Sequence, residues 1–192
     1  MISSPSGGGK TTIAARLRRR LPRLARSVSV TTRAPRQGER RGRDYRFLAP
    51  AEFQRWTRQG RLLERARVHG AWYGTPKRPI LQALLRGRDV LLSIDVQGAR
   101  SVRRALGNRA VLIFLLPPSL KHLRQRLLRR KTETAAAIRQ RLTAAKRELA
   151  CAAWYDYRVV NDRLERAVSE IAAIIGAERT TERGYTHGAR PD

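Results

Sequence analysis

The sequence predicts an α/β fold in three layers, with a central parallel sheet between helices. Three features carry that expectation. The stretch SPSGGGKTT, Ser4–Thr12, joins a glycine-rich turn to a helical pattern with Ile13, Leu17 and Leu21 on one face. Asp89–Ile94 (DVLLSI) and Ala110–Leu116 (AVLIFLL) are apolar runs without alternation, the pattern of strands covered on both sides in a parallel sheet. Helical stretches separate the strands, and such sheets bind ligands at the C-terminal ends of their strands.

Taken in order, only Met1 and Ile2 precede the loop, so either the first strand is very short or the true start lies upstream. The helix over Thr11–Leu21 stops at Pro22, which has no N–H to donate and clashes with the preceding turn. Ser27–Thr31 (SVSVT) reads as a short strand. From Arg33 to Arg86, turn residues at Pro35, Gly38, Gly42, Gly60, Gly70, Gly74 and Pro76 predict an inserted subdomain with its own strands and loops. Leu120–Arg130 and Thr134–Ala153 read as helices, and Arg158–Asn161 as a short strand. Leu164–Arg179 is an amphipathic closing helix with Leu164, Val168, Ile171 and Ile175 on one face. The expected organisation is one domain over 1–182 with a core at about 1–32, 87–120 and 143–182. The insertion occupies about 33–86, a basic helical segment about 121–142, and a polar tail 183–192.

Composition fits a globular protein: 192 residues, 41% of them apolar, suffice for one domain with a real core. The single cysteine, Cys151, excludes an internal disulfide, and no Cys/His cluster has metal-ligand spacing. With no apolar run at the N-terminus and no membrane-length stretch, the expected location is the cytoplasm. The net charge of +27 would attract polyanions. Its arginines are dispersed rather than gathered in one arm, so they read as solvated faces, with nucleic-acid binding at most non-specific. Whether the protein is a monomer or a homo-oligomer is left open.

The loop approximates G-x-x-x-x-G-K-[ST], in which backbone N–H groups surround a phosphate at a helix N-terminus. Ser6, Gly7, Gly8, Gly9, Lys10, Thr11 and Thr12 are therefore the candidate nucleoside-triphosphate-binding residues. Lys10 would reach the β/γ-phosphates, and the Thr11 hydroxyl would hold Mg²⁺, the expected cofactor. Ser4 stands where the pattern has its first glycine.

Further motifs narrow the reading. SVSVTTRAPRQGERRGRDYRF, LLERARVHGAWYGTP, DVLLSIDVQGAR, FLLPPS and VVND, in this order and spacing, strongly resemble guanylate kinase over nearly the whole chain to Arg179. The resemblance implies the P-loop NTPase fold with an inserted GMP-binding subdomain and a helical lid. It also implies the activity, transfer of phosphate from ATP to GMP, and to dGMP, giving GDP for GTP supply.

It assigns Ser29, Arg33, Arg36 and Tyr45 to the GMP phosphate. That suits the chemistry, because two guanidinium groups grip a phosphate dianion bidentately. Glu64 and Thr75 match the residues that read guanine. A carboxylate accepts from N1–H and the exocyclic NH₂, and a hydroxyl donates to O6. Tyr73 matches a hydroxyl near the phosphate, and Asp95 in SIDVQG the family aspartate at the GMP site. RLLRRKTETAAAIRQRL matches the lid, making Arg126, Arg130 and Arg141 catalytic arginines beside Lys10, and Asn161 lies where the family meets the adenine end of ATP.

The chain departs from the family at Ser4, at Lys131 in place of the lid glycine, and at Ser93, where a second acid is usual. Two other readings share the fold: a kinase of a phosphorylated sugar, which should lack Glu64 with Thr75, and a non-catalytic binding module, which typically lacks the loop lysine.

Overall fold

The computed structural model describes residues 1–68, 70–128 and 135–181. Five short strands form its parallel sheet: β1 (Ile2–Ser3), β2 (Ala25–Arg26), β7 (Val90–Leu91), β8 (Ile113–Leu116) and β9 (Tyr157–Val160). β1 pairs with β8 and β8 with β9, while β2 pairs with β7. Ile2 bridges Ser93 just beyond β7, accepting from the Ile94 N–H at 3.2 Å and donating to Leu92 at 2.8 Å. The order is thus β2-β7-β1-β8-β9, with β1 central and the glycine loop at its C-terminal end.

Period-two alternation explains the unbroken apolar runs. Along β8, Ile113 and Leu115 pack on one face with Ile13 and Leu17 of α1 (Lys10–Arg20) and Val168 and Ile171 of α7 (Leu164–Thr180). Leu112 and Phe114 face the other way, onto Ile80 of α3 (Lys77–Leu85), Val102 of α4 (Val96–Leu106) and Tyr155. Helices on both faces make the three layers expected.

The second sheet, order β4-β3-β6-β5, comprises β3 (Val30–Thr31), β4 (Arg46–Phe47), β5 (Leu62–Val68) and β6 (Ala71–Pro76). It has its own apolar cluster of Val30, Leu48, Phe53 and Trp56. The strand expected over Ser27–Thr31 is shortened to Val30–Thr31, which joins the second sheet, while the preceding Ala25–Arg26 joins the parallel one. The chain crosses from core to insertion there.

Two helices lie within 33–86 where only strands and loops were expected. One is α2 (Pro50–Arg58), with proline in its first turn and Phe53 and Trp56 buried; the other is α3, whose Ile80 packs with the main core. Helices α5 (Leu120–Leu128) and α6 (Ala135–Ala150) flank the lid tip. Arg130, Lys131 and Thr132 at that tip, and the tail 183–192, lie outside the described residues. Among the described residues no helix is long and apolar enough to cross a membrane.

Candidate active site

The glycine loop takes its shape from two residues with left-handed backbone, Gly7 (φ 87°) and Gly9 (φ 95°), the latter capping α1. The departure at Ser4 is accommodated locally. Ser4 is buried and donates its hydroxyl to the Pro5 carbonyl at 2.9 Å, and its side chain fills the space a Cβ on Gly8 would need. Lys10 donates to the Ser4 carbonyl at 2.8 Å. Burial lowers its pKa, against the opposing fields of Glu148 and Asp95.

One open cleft of about 250 Å³ runs from this loop to the insertion. The predicted loop residues Ser6, Gly7, Gly8, Gly9, Lys10, Thr11 and Thr12 line one end. Ser29, Arg36, Tyr45, Glu64, Tyr73 and Asp95 line the other, and Arg141 of α6 closes over the loop with a 3.3 Å bond to the Ser6 hydroxyl. Residues scattered over more than 130 positions of sequence thus share one cavity.

Four predicted residues stand behind the cleft wall. Arg33 donates to Tyr73 at 3.0 Å and makes a bidentate pair with Glu39 at 2.6 and 2.7 Å. That pair raises the arginine's pKa and lowers the carboxylate's. Thr75 is fully buried, with its hydroxyl proton on Glu64 at 2.5 Å rather than turned toward the cleft. Asn161 donates its side-chain amide to the Gly8 carbonyl at 2.8 Å, so in this structure it braces the loop from beneath. Arg126 donates to the Asn161 carbonyl at 3.0 Å.

Glu64 is 6% exposed and its carboxyl is pushed up to about 7, chiefly by burial, with Asp95 adding to the rise and Thr75 opposing it. Burial also raises Asp95, while the Gly98 N–H and Lys10 favour its charged form.

Two residues given no role from the sequence belong to the site. Glu39 holds Arg33 and also accepts from the Arg36 backbone N–H at 2.8 Å. Its signal was the GE inside TTRAPRQGE. Glu148 on α6 lines the cleft and faces the Ser6 backbone N–H and Lys10, with one carboxylate oxygen buried and unpartnered. As one glutamate in a charged helix it carried no signal.

A glycine loop with its lysine, and a buried carboxylate beside paired tyrosines and arginines, meet across one cavity. The guanylate kinase family model matches residues 1–178. The chain belongs to the guanylate kinase family. A guanylate kinase of Wolbachia sp. subsp. Brugia malayi is 45% identical over 184 residues, covering 96% of this chain and 94% of the relative. One from Gloeobacter violaceus is 48% identical over 178 residues, 93% of this chain and 86% of its own. The crystal structure of guanylate kinase from Anaplasma phagocytophilum superposes with a TM-score of 0.81 at 36% identity, covering 95% of this chain and 86% of the other. The three-layer architecture with an inserted second sheet is therefore that of a guanylate kinase.

Proposed function

We propose that this guanylate kinase family member transfers the γ-phosphoryl group of ATP to the phosphate of GMP, giving ADP and GDP, and that it accepts dGMP as well. The observation that carries the reading is the buried Glu64, bonded to Thr75 and flanked by Asp95, in the same cleft as Lys10 and the loop. The buried carboxylate offers its acceptors to a base that presents donors, which guanine does and adenine does not. A site that hydrogen-bonds a base edge rejects the wrong base steeply, because mismatch strands buried polar groups.

Phosphoryl transfer asks the protein for positioning and charge neutralisation rather than covalent chemistry. On this reading the loop amides and Lys10 hold the donor phosphates, while Arg33, Arg36, Tyr45, Tyr73 and Ser29 hold the acceptor. Arg126, Arg130 and Arg141 are assigned to the transferring group as the lid closes and excludes water. Thr11, at the start of α1 and on the cleft wall, suits Mg²⁺ as a hard hydroxyl ligand, and Glu148 lines the same cleft with an unpartnered oxygen. Bound with ATP, Mg²⁺ would supply charge neutralisation at the donor phosphates. The single cysteine and the two nucleotide substrates support a cytoplasmic enzyme. The test is a coupled ADP-release assay with GMP, dGMP, AMP, CMP and UMP. Turnover with GMP and dGMP is expected, and turnover confined to another acceptor would overturn the assignment.

A further inference from the structure

Gly98 sits in the first turn of α4, with a buried, ordinary helical backbone rather than the left-handed one that glycine alone favours. Alanine is the better helix former at such a position, so local propensity gives no reason for glycine there. The reason lies across the helix. A Cβ at position 98 would stand 2.7 Å from Oε2 of Glu64, 3.1 Å from its Cδ and 3.2 Å from Oδ1 of Asp95. A gap under 3.0 Å cannot persist, and the atom free to move is the end of the Glu64 side chain. Meanwhile the Gly98 N–H donates to Asp95 at 2.8 Å. One residue therefore seats one carboxylate by lacking a side chain and orients the other through its amide.

We propose that Gly98 is a positioning residue that sets base specificity: the space above it places the Glu64 acceptors where guanine's two donors meet them. The inference rests on the reading of Glu64 as the guanine acceptor. A Cβ displaces Glu64 at little cost to the fold, because a flexible side-chain end gives way. It misaligns the acceptors. The damage falls on GMP and spares ATP, which is held on the loop side.

Glycine 98 is tested with G98A, E64A and the double variant, reading kcat/KM for GMP and AMP, KM for ATP, and Tm. G98A is expected to lower kcat/KM for GMP by about tenfold or more, mainly through KM, and to narrow the GMP-to-AMP ratio. KM for ATP should stay within about twofold, and Tm should hold or rise, since alanine favours the helix. In the E64A background, G98A should change GMP use less than about twofold, because the displaced group is gone. Four results would overturn the inference. These are an unchanged GMP-to-AMP ratio in G98A, an equal effect with or without Glu64, an equal effect on ATP, and a loss of folding that E64A does not relieve. If E64A itself leaves GMP use untouched, the guanine-site reading falls and this inference with it. If E64A impairs GMP use and G98A does not, the Gly98 inference alone falls.

Discussion

Replacing Glu64 with glutamine should make the protein more stable at alkaline pH relative to acid. In the folded protein this carboxyl is raised from the ordinary 4.5 to about 7, with burial as the main cause. A raised acid binds its proton more tightly when folded than when unfolded. Its contribution to stability is therefore greatest below about pH 4.5 and declines as pH rises toward 7. At 1.36 kcal/mol per pKa unit the loss amounts to about 3 kcal/mol. Glutamine has no proton to lose, so the variant should escape this decline. The stability difference between E64Q and wild type should grow by about 3 kcal/mol between pH 4.5 and pH 8, whatever packing cost glutamine adds equally at both. For a chain of this length that is about 6–12 °C in Tm. Urea denaturation of both proteins across the range measures it. Asp95 is raised as well and faces Glu64, so the change should be spread over several pH units. A difference that stays flat with pH would refute the claim that burial raises the pKa of this carboxyl. The functional counterpart has the opposite direction. On the proposed reading guanine needs the ionised acceptor, so KM for GMP should rise as pH falls below about 7, and E64Q should lose that component.

Lys10→Ala should lower turnover at least about a hundredfold while the protein stays folded, because it removes charge stabilisation at the donor phosphates and a group whose charge burial already disfavours. Single-turnover rates and a far-UV spectrum check both halves. Arg33→Met and Arg36→Met should each raise KM for GMP far more than KM for ATP, and equal rises would mean the acceptor phosphate lies elsewhere. Glu39→Gln should raise KM for GMP by a smaller factor than Arg33→Met, since it loosens the bidentate hold on Arg33 and keeps the guanidinium. Steady-state kinetics with each substrate varied in turn decides that order.

Much of this arrangement was legible in the chain. Short sequence signals with a strong physical cause came through: the left-handed glycines before Lys10, and the apolar runs of β7 and β8 buried on both faces. What stayed hidden depends on distant partners. Helix α2 was masked by flanking turn residues, and it is held by Phe53 and Trp56 packing on Val30 and Leu48 rather than by a long periodic pattern. That Ala25–Arg26 and Val30–Thr31 enter different sheets depends on Leu91 and Gly74, residues far along the chain. At the site, residue types were readable and their pairings were not. The sequence offers Arg33, Glu39, Thr75 and Asn161, but only the fold puts the first two on each other, Thr75 on Glu64 and Asn161 on the loop.

Two glycines show why residue type alone under-describes such a site. Gly8 and Gly98 lack the positive φ that usually accounts for a glycine, and each lies against a polar side chain that occupies the place of its absent Cβ. At Gly8 the occupant is Ser4, the residue that departs from the loop pattern; at Gly98 it is Glu64. In the first case glycine lets an unusual neighbour fit without disturbing the phosphate loop. In the second it lets a carboxylate stay buried close to a second one, and burial raises the pKa of each, with Asp95 adding to the rise at Glu64. Burial of Glu64 is unfavourable for the fold, yet on the proposed reading it removes water as a competitor for the two acceptors and makes an adenine mismatch costly. The same interaction therefore carries a stability cost and a selectivity gain. That is why the pH dependence of folding and the GMP-to-AMP ratio should change together when either Glu64 or Gly98 is altered.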